Sequence, residues 1–67
     1  MDALLHSDAL LHTVDSAGQM LRCGRTTIYE LMASGELESV TIGRARRIPH
    51  AALVEYVDRL REQARAA

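Results

Sequence analysis

Between Arg25 and Leu37 the chain reads Arg-Thr-Thr-Ile-Tyr-Glu-Leu-Met-Ala-Ser-Gly-Glu-Leu, and this stretch constrains the fold more than any other. Ile28, Leu31 and Met32 stand at i, i+3 and i+4, the spacing of one helical face, while Arg25, Thr26, Thr27, Tyr29 and Glu30 cover the opposite arc. One face packs and the other is displayed. Gly35 ends the helix, because a glycine in the left-handed conformation satisfies the last carbonyls without strain. The displayed face offers Arg, Thr and Tyr in place of the Glu/Lys mixture of an ordinary solvated helix. That chemistry suits phosphates and base edges.

A chain of 67 residues is read as one domain, too small to enclose both a substantial core and a substrate pocket. Phe and Trp are absent and the only tyrosines are Tyr29 and Tyr56, so the core must be built from Leu, Ile, Val, Met and Ala. No run approaches the ~20 apolar residues of a membrane span, and the N-terminus is acidic where a signal peptide would be basic. The expectation is a cytoplasmic protein without a membrane partner. The lone Cys23 cannot form an internal disulfide, and metal ligands are too few for a structural zinc site. No nucleophile–base pairing, metal constellation or phosphate loop is present, so neither catalysis, a cofactor nor a small-molecule ligand is expected.

A net charge of −1 argues against nucleic acid only until its distribution is read. Residues 1–21 carry three acids and no Arg, residues 22–47 carry five Arg against Glu30, Glu36 and Glu38, and residues 48–67 are balanced. Positive charge is thus concentrated around the displayed helix. All eight cations are Arg. Coding bias accounts for this blandly; bidentate contact with phosphate and guanine is the functional alternative.

Residues 1–12 form a leader with a duplication, Asp2-Ala3-Leu4-Leu5-His6 and Asp8-Ala9-Leu10-Leu11-His12. It reads either as a frayed end or as a leucine-bearing contact for another subunit. His6 and His12, six apart, fall on different helical faces and are read as surface histidines. Thr13 reads as an N-cap with Asp15 favouring the first turn, and Val14, Ala17, Met20 and Leu21 are expected to point inward. Gly18 costs about 1 kcal/mol of helix propensity, which a close helix crossing would justify. The turn Arg22-Cys23-Gly24, with Cys23 as a buried plug and Gly24 at the cap, joins this helix to the displayed one. Two short helices so joined form a helix-turn-helix, whose second helix enters the major groove.

Two short strands then flank the tip Gly43-Arg44-Ala45, with Leu37, Val40, Ile42 and Ile48 lining one side. Arg44, Arg46 and Arg47 surround that tip, and three guanidiniums on one hairpin repel unless an anion lies between them. This points to a phosphate or minor-groove clamp, the bland alternative being a merely soluble loop. Arg22 and His50 are further candidates for phosphate contact, although a capping or surface role suits His50 better. Pro49 opens a last helix, from Ala51 to about Ala64, with Leu53, Val57 and Leu60 facing inward, Val54 and Tyr56 beside them, and a charged outer face. The domain boundaries are then 13–64, with 65–67 as a tail.

The run from Thr13 to Val57 resembles the excisionase-like helix-turn-helix domains of the MerR-related winged-helix superfamily. Thr13-Val14, Arg25-Thr26-Thr27-Ile28-Tyr29, Ser34-Gly35-Glu36-Leu37, Ile42-Gly43-Arg44 and Arg46-Arg47-Ile48-Pro49 carry the resemblance. It implies a mostly α winged helix-turn-helix with a small β-hairpin. Arg25, Thr26, Thr27 and Tyr29 would lie in the major groove, and Arg44, Arg46 and Arg47 would sit on the wing. Glu30 stands where such helices often carry a base; it either accepts from a cytosine amino group or pairs with an arginine. The implied role is that of a phage excisionase, or recombination directionality factor. Such a protein binds double-stranded DNA at adjacent sites in head-to-tail copies, bends it, and directs a tyrosine integrase toward excision. A small MerR-like transcriptional regulator is the alternative, and a protein-interaction adaptor relying on Leu4, Leu5, Leu10 and Leu11 a second.

Overall fold

The computed structural model describes residues 9–66, so Leu4, Leu5 and His6 lie outside the described residues. Along the chain run β1 (Leu11–His12), α1 (Val14–Leu21), α2 (Arg25–Ser34), β2 (Val40–Ile42), β3 (Ala45–Pro49) and α3 (His50–Ala66). The strands form an antiparallel sheet in the order β1-β3-β2. This is the architecture of a small winged helix-turn-helix.

Local chemistry sets the helix ends. The Thr13 hydroxyl accepts from the Ser16 backbone N–H at 3.0 Å and opens α1. Gly24 caps α2 without a side-chain bond, and Gly35, at φ 85°, closes it by donating its N–H to the Met32 carbonyl. The Leu37 N–H then reaches back to the Leu31 carbonyl, turning Leu37 into the core. A two-residue turn, Gly43-Arg44, joins β2 to β3 with Ile42 opposite Ala45, and Gly43 takes the positive φ.

Between the helices, the sheet and the first turns of α3 lies a thin aliphatic core: Val14, Ala17, Ile28, Met32, Leu37, Ile48, Ala52 and Leu53. Gly18 is where α1 meets the turn before α2. A Cβ there would stand 2.9 Å from the Cys23 carbonyl oxygen and 3.7 Å from Ile28 Cγ1. The helix-propensity cost of Gly18 is therefore offset by a close approach that no side chain permits.

Five sequence expectations are corrected. Leu11 and His12 are not leader but strand, Leu11 pairing with Pro49 and His12 with Ile48. His12 is not a surface histidine: it is 5% exposed, its Nε2 lies 2.9 Å from His50 Nδ1, and its Nδ1 is 3.3 Å from Ser16 Oγ. Val57 and Leu60 are exposed, because α3 outruns the body of the domain and only Ala52 and Leu53 are buried. Met20 and Ile42 are likewise exposed, the first at the end of α1 and the second at the tip of a three-residue strand. Cys23 is half-buried, not a fully enclosed plug. Beyond the core, Arg59 ties α3 to the loop after α2 by donating to the Glu36 carbonyl.

Gly18→Ala should gain helix propensity yet lower stability by about 1–3 kcal/mol, because the clash is with backbone that cannot rotate away. Urea titration measures the net sign. For the histidine pair, burial and the neighbouring His50 hold His12 below its ordinary value of 6.5. The unfolded chain therefore takes up the proton first, so this contribution is present above about pH 6.5 and is lost as pH falls below it. Thermal melts at pH 7.5 and 5.5 should show that loss, and His12→Asn should flatten it.

Candidate nucleic-acid interface

Ile28 and Met32 anchor α2 in the core with Leu31 half-buried beside them, and this fixes what the other side of the helix shows. Arg25, Thr26, Thr27, Tyr29 and Glu30 are all exposed, with Tyr29 50% accessible. No arginine pairs with Glu30 among the described residues. The Tyr29 hydroxyl, and after it the Asp15 carboxylate, raise the pKa of Arg25 above its ordinary value. Asp15 Oδ1 lies 3.1 Å from Arg25 Nε. The sequence marks Asp15 only as a first-turn acid; no local periodicity connects it with a residue across the turn.

The wing holds its arginines separately. Arg44 occupies the exposed turn, whereas Arg46 and Arg47 are successive strand residues and project to opposite faces. Arg46 Nε donates to Ser39 Oγ at 3.1 Å, and Arg47 Nη1 donates to the Arg46 carbonyl at 2.8 Å. Electrostatic repulsion is relieved by that separation as well as by any bound anion. Ser39, a residue the sequence leaves unremarked, sets the direction of Arg46.

Arg22 closes α1 in the left-handed region, φ 60°, and is the one non-glycine described residue there. Its N–H donates to the Gln19 carbonyl at 3.2 Å, and the following Cys23 N–H donates to the Gly18 carbonyl at 2.8 Å. Glycine is the ordinary occupant of such a position. An exposed arginine there carries backbone strain on the side of the turn that leads into α2. His50 stands elsewhere: half-buried, with its Nδ1 engaged by His12, it belongs to the junction of β1 and α3.

No described helix is long and apolar enough to cross a membrane. Among the described residues, no three His, Cys, Asp or Glu side chains are grouped so as to hold a metal ion.

The sequence profile of the family described as "Helix-turn-helix domain" matches residues 13–61, the run from the α1 cap into α3. The chain is also 53% identical over 58 residues to a Saccharopolyspora erythraea protein named "Probable excisionase". That alignment covers 87% of this chain and 59% of the relative, so the chain spans well under two thirds of that protein's length. No solved structure matches.

Arg22→Gly should raise stability by about 0.5–1.5 kcal/mol by relieving the left-handed strain. The same change should weaken binding to any DNA duplex by removing a cation. Denaturation and fluorescence-anisotropy titrations on one preparation check both signs.

Proposed function

Since the chain belongs to the helix-turn-helix domain family, we propose that it is a sequence-specific DNA-binding protein of the excisionase type. The observation that carries this is α2: Ile28 and Met32 are buried against α1 while Arg25, Thr26, Thr27, Tyr29 and Glu30 are displayed. In this reading α2 enters the major groove, where Arg25 and the threonines meet base edges. Arg44 and Arg46 lie along the backbone from the wing, and Arg22 adds a phosphate contact at the turn. Tyr29 braces Arg25. Glu30 accepts from a cytosine amino group or stays clear of the phosphates.

The small size of this DNA-binding module supports a cooperative mode of action. A single copy making a few phosphate contacts binds weakly at physiological salt, so useful occupancy requires neighbours. Head-to-tail copies make a heterologous contact that need not close, and so extend along DNA. Bending a 20–30 bp site costs on the order of 1–6 kcal/mol, which several copies together supply. The bent array then presents DNA to a tyrosine integrase in the excisive arrangement. The name of the Saccharopolyspora relative supports the excisionase reading over a promoter-bound regulator.

The test is a gel-shift titration at two salt concentrations, on attachment-site DNA from the source genome against scrambled DNA. Stepwise ladders and anomalous bending are expected on the attachment DNA. Arg44→Ala/Arg46→Ala should lower the salt slope by about 2 and weaken binding alike on both duplexes. A single shifted species confined to a promoter fragment would assign a transcriptional role, and no salt-sensitive binding would overturn DNA recognition altogether.

A further inference from the structure

The Asp15–Arg25 contact joins the second residue of α1 to the first residue of α2. Both side chains are about two-thirds exposed, at 64% and 65%, and an ion pair in that setting adds little to stability. Its geometry matters more than its energy. The carboxylate oxygen is 3.1 Å from Nε, the inner edge of the guanidinium. The two terminal nitrogens, which form the outer edge, make no further ion pair among the described residues. That edge is the fork that fits two acceptors lying side by side, and in the major groove guanine O6 and N7 are such a pair.

We propose that Asp15 is a specificity-determining residue, which holds Arg25 by its inner edge so that the outer edge reads a guanine. The proposal rests on α2 being the base-reading helix. A loose arginine on an exposed helix samples many rotamers and finds the nearest phosphate as readily as a base. Asp15 on α1 restricts that freedom by holding Nε. Neutralised in part by its partner, it contributes little to phosphate attraction and is kept for the base. Asp15 itself touches no DNA in this arrangement; it acts through Arg25.

Two effects of removing the carboxylate have opposite signs, which makes them separable. A negative charge beside DNA repels it, so on charge alone Asp15→Asn strengthens binding to every duplex equally. Loss of positioning weakens discrimination at one base pair and frees Arg25 for a phosphate, which steepens the salt dependence by about 1.

The experiment uses the full chain and a duplex selected by the wild-type protein from a random library. Affinity is measured for that duplex, for a G·C→A·T series across it, and for a scrambled duplex, at two salt concentrations. Wild type should show one G·C position whose replacement costs about tenfold or more. Arg25→Ala should abolish that cost. Asp15→Asn, verified as folded by circular dichroism, should reduce it to under about threefold. It should also bind the scrambled duplex at least as tightly as wild type, with the steeper slope, and Asp15→Glu should restore part of the discrimination. If Asp15→Asn tightens binding to all duplexes by one factor and keeps the tenfold cost, Asp15 acts through charge alone and the proposal falls. If Arg25→Ala retains every base preference, Arg25 reads no guanine and the proposal falls while α2 can still read through its other residues; if no site is selected, base reading by α2 fails and the proposal falls with it.

Discussion

Everything displayed by α2 depends on the closeness of α1 to the turn at Gly18. Because no Cβ intervenes, the Cys23 carbonyl sits directly over the α1 backbone, and Ile28 can reach the same spot from α2. That contact fixes how α2 lies on α1, and hence which of its residues are buried. The core behind it is eight aliphatic side chains with no aromatic among them, so little else is available to hold the two helices in one orientation. A domain of this size achieves precision through backbone proximity because it lacks the volume to do so through side-chain packing.

Features governed by neighbouring residues were legible before the structure. The Thr13 cap, the Gly35 stop, the Gly43 hairpin and the inward set Ile28, Leu31 and Met32 each follow from a few adjacent residues, and each stands where expected. Features that depend on distant partners were not. Nothing local to His12 says that a residue 38 positions away will meet its ring, and so a short strand passed for a leader. Helical periodicity in α3 named Val57 and Leu60 correctly as one stripe but carries no information on whether anything lies beneath it. The candidate interface divides in the same way. Its residue types were readable along the chain, whereas Asp15 against Arg25 and Ser39 against Arg46 belong to contacts between elements.

Charge and backbone strain meet at Arg22. The arginines at 22, 25, 44 and 46 stand on the turn, on α2 and on the wing, while the acids at 58 and 62 stand on α3 and pair with Arg61 and Arg65 of the same helix. A chain with net charge −1 thus keeps an excess of arginine over residues 22–47, because the charges of α3 balance one another and the net negative sign comes from the acids of residues 1–21. Arg22 shows what that concentration costs, since the turn holds an arginine in a backbone conformation that glycine fills without strain. A small domain with a thin core has few places where such a loss can be absorbed.

The pairing of β1 with β3, sealed by the two histidines, bears on how the molecule assembles. Contacts within the helix pair and within the hairpin join residues close in sequence, so each can form early and independently of the other. Bringing His12 to His50 closes a much longer loop and gains two strand pairs, the His50 N–H bond to the Leu10 carbonyl and the contact of the two rings when it does. The order this favours is helix pair and hairpin first, N-terminal strand last. In the native state the same strand then exchanges its amides by local opening, ahead of any global unfolding.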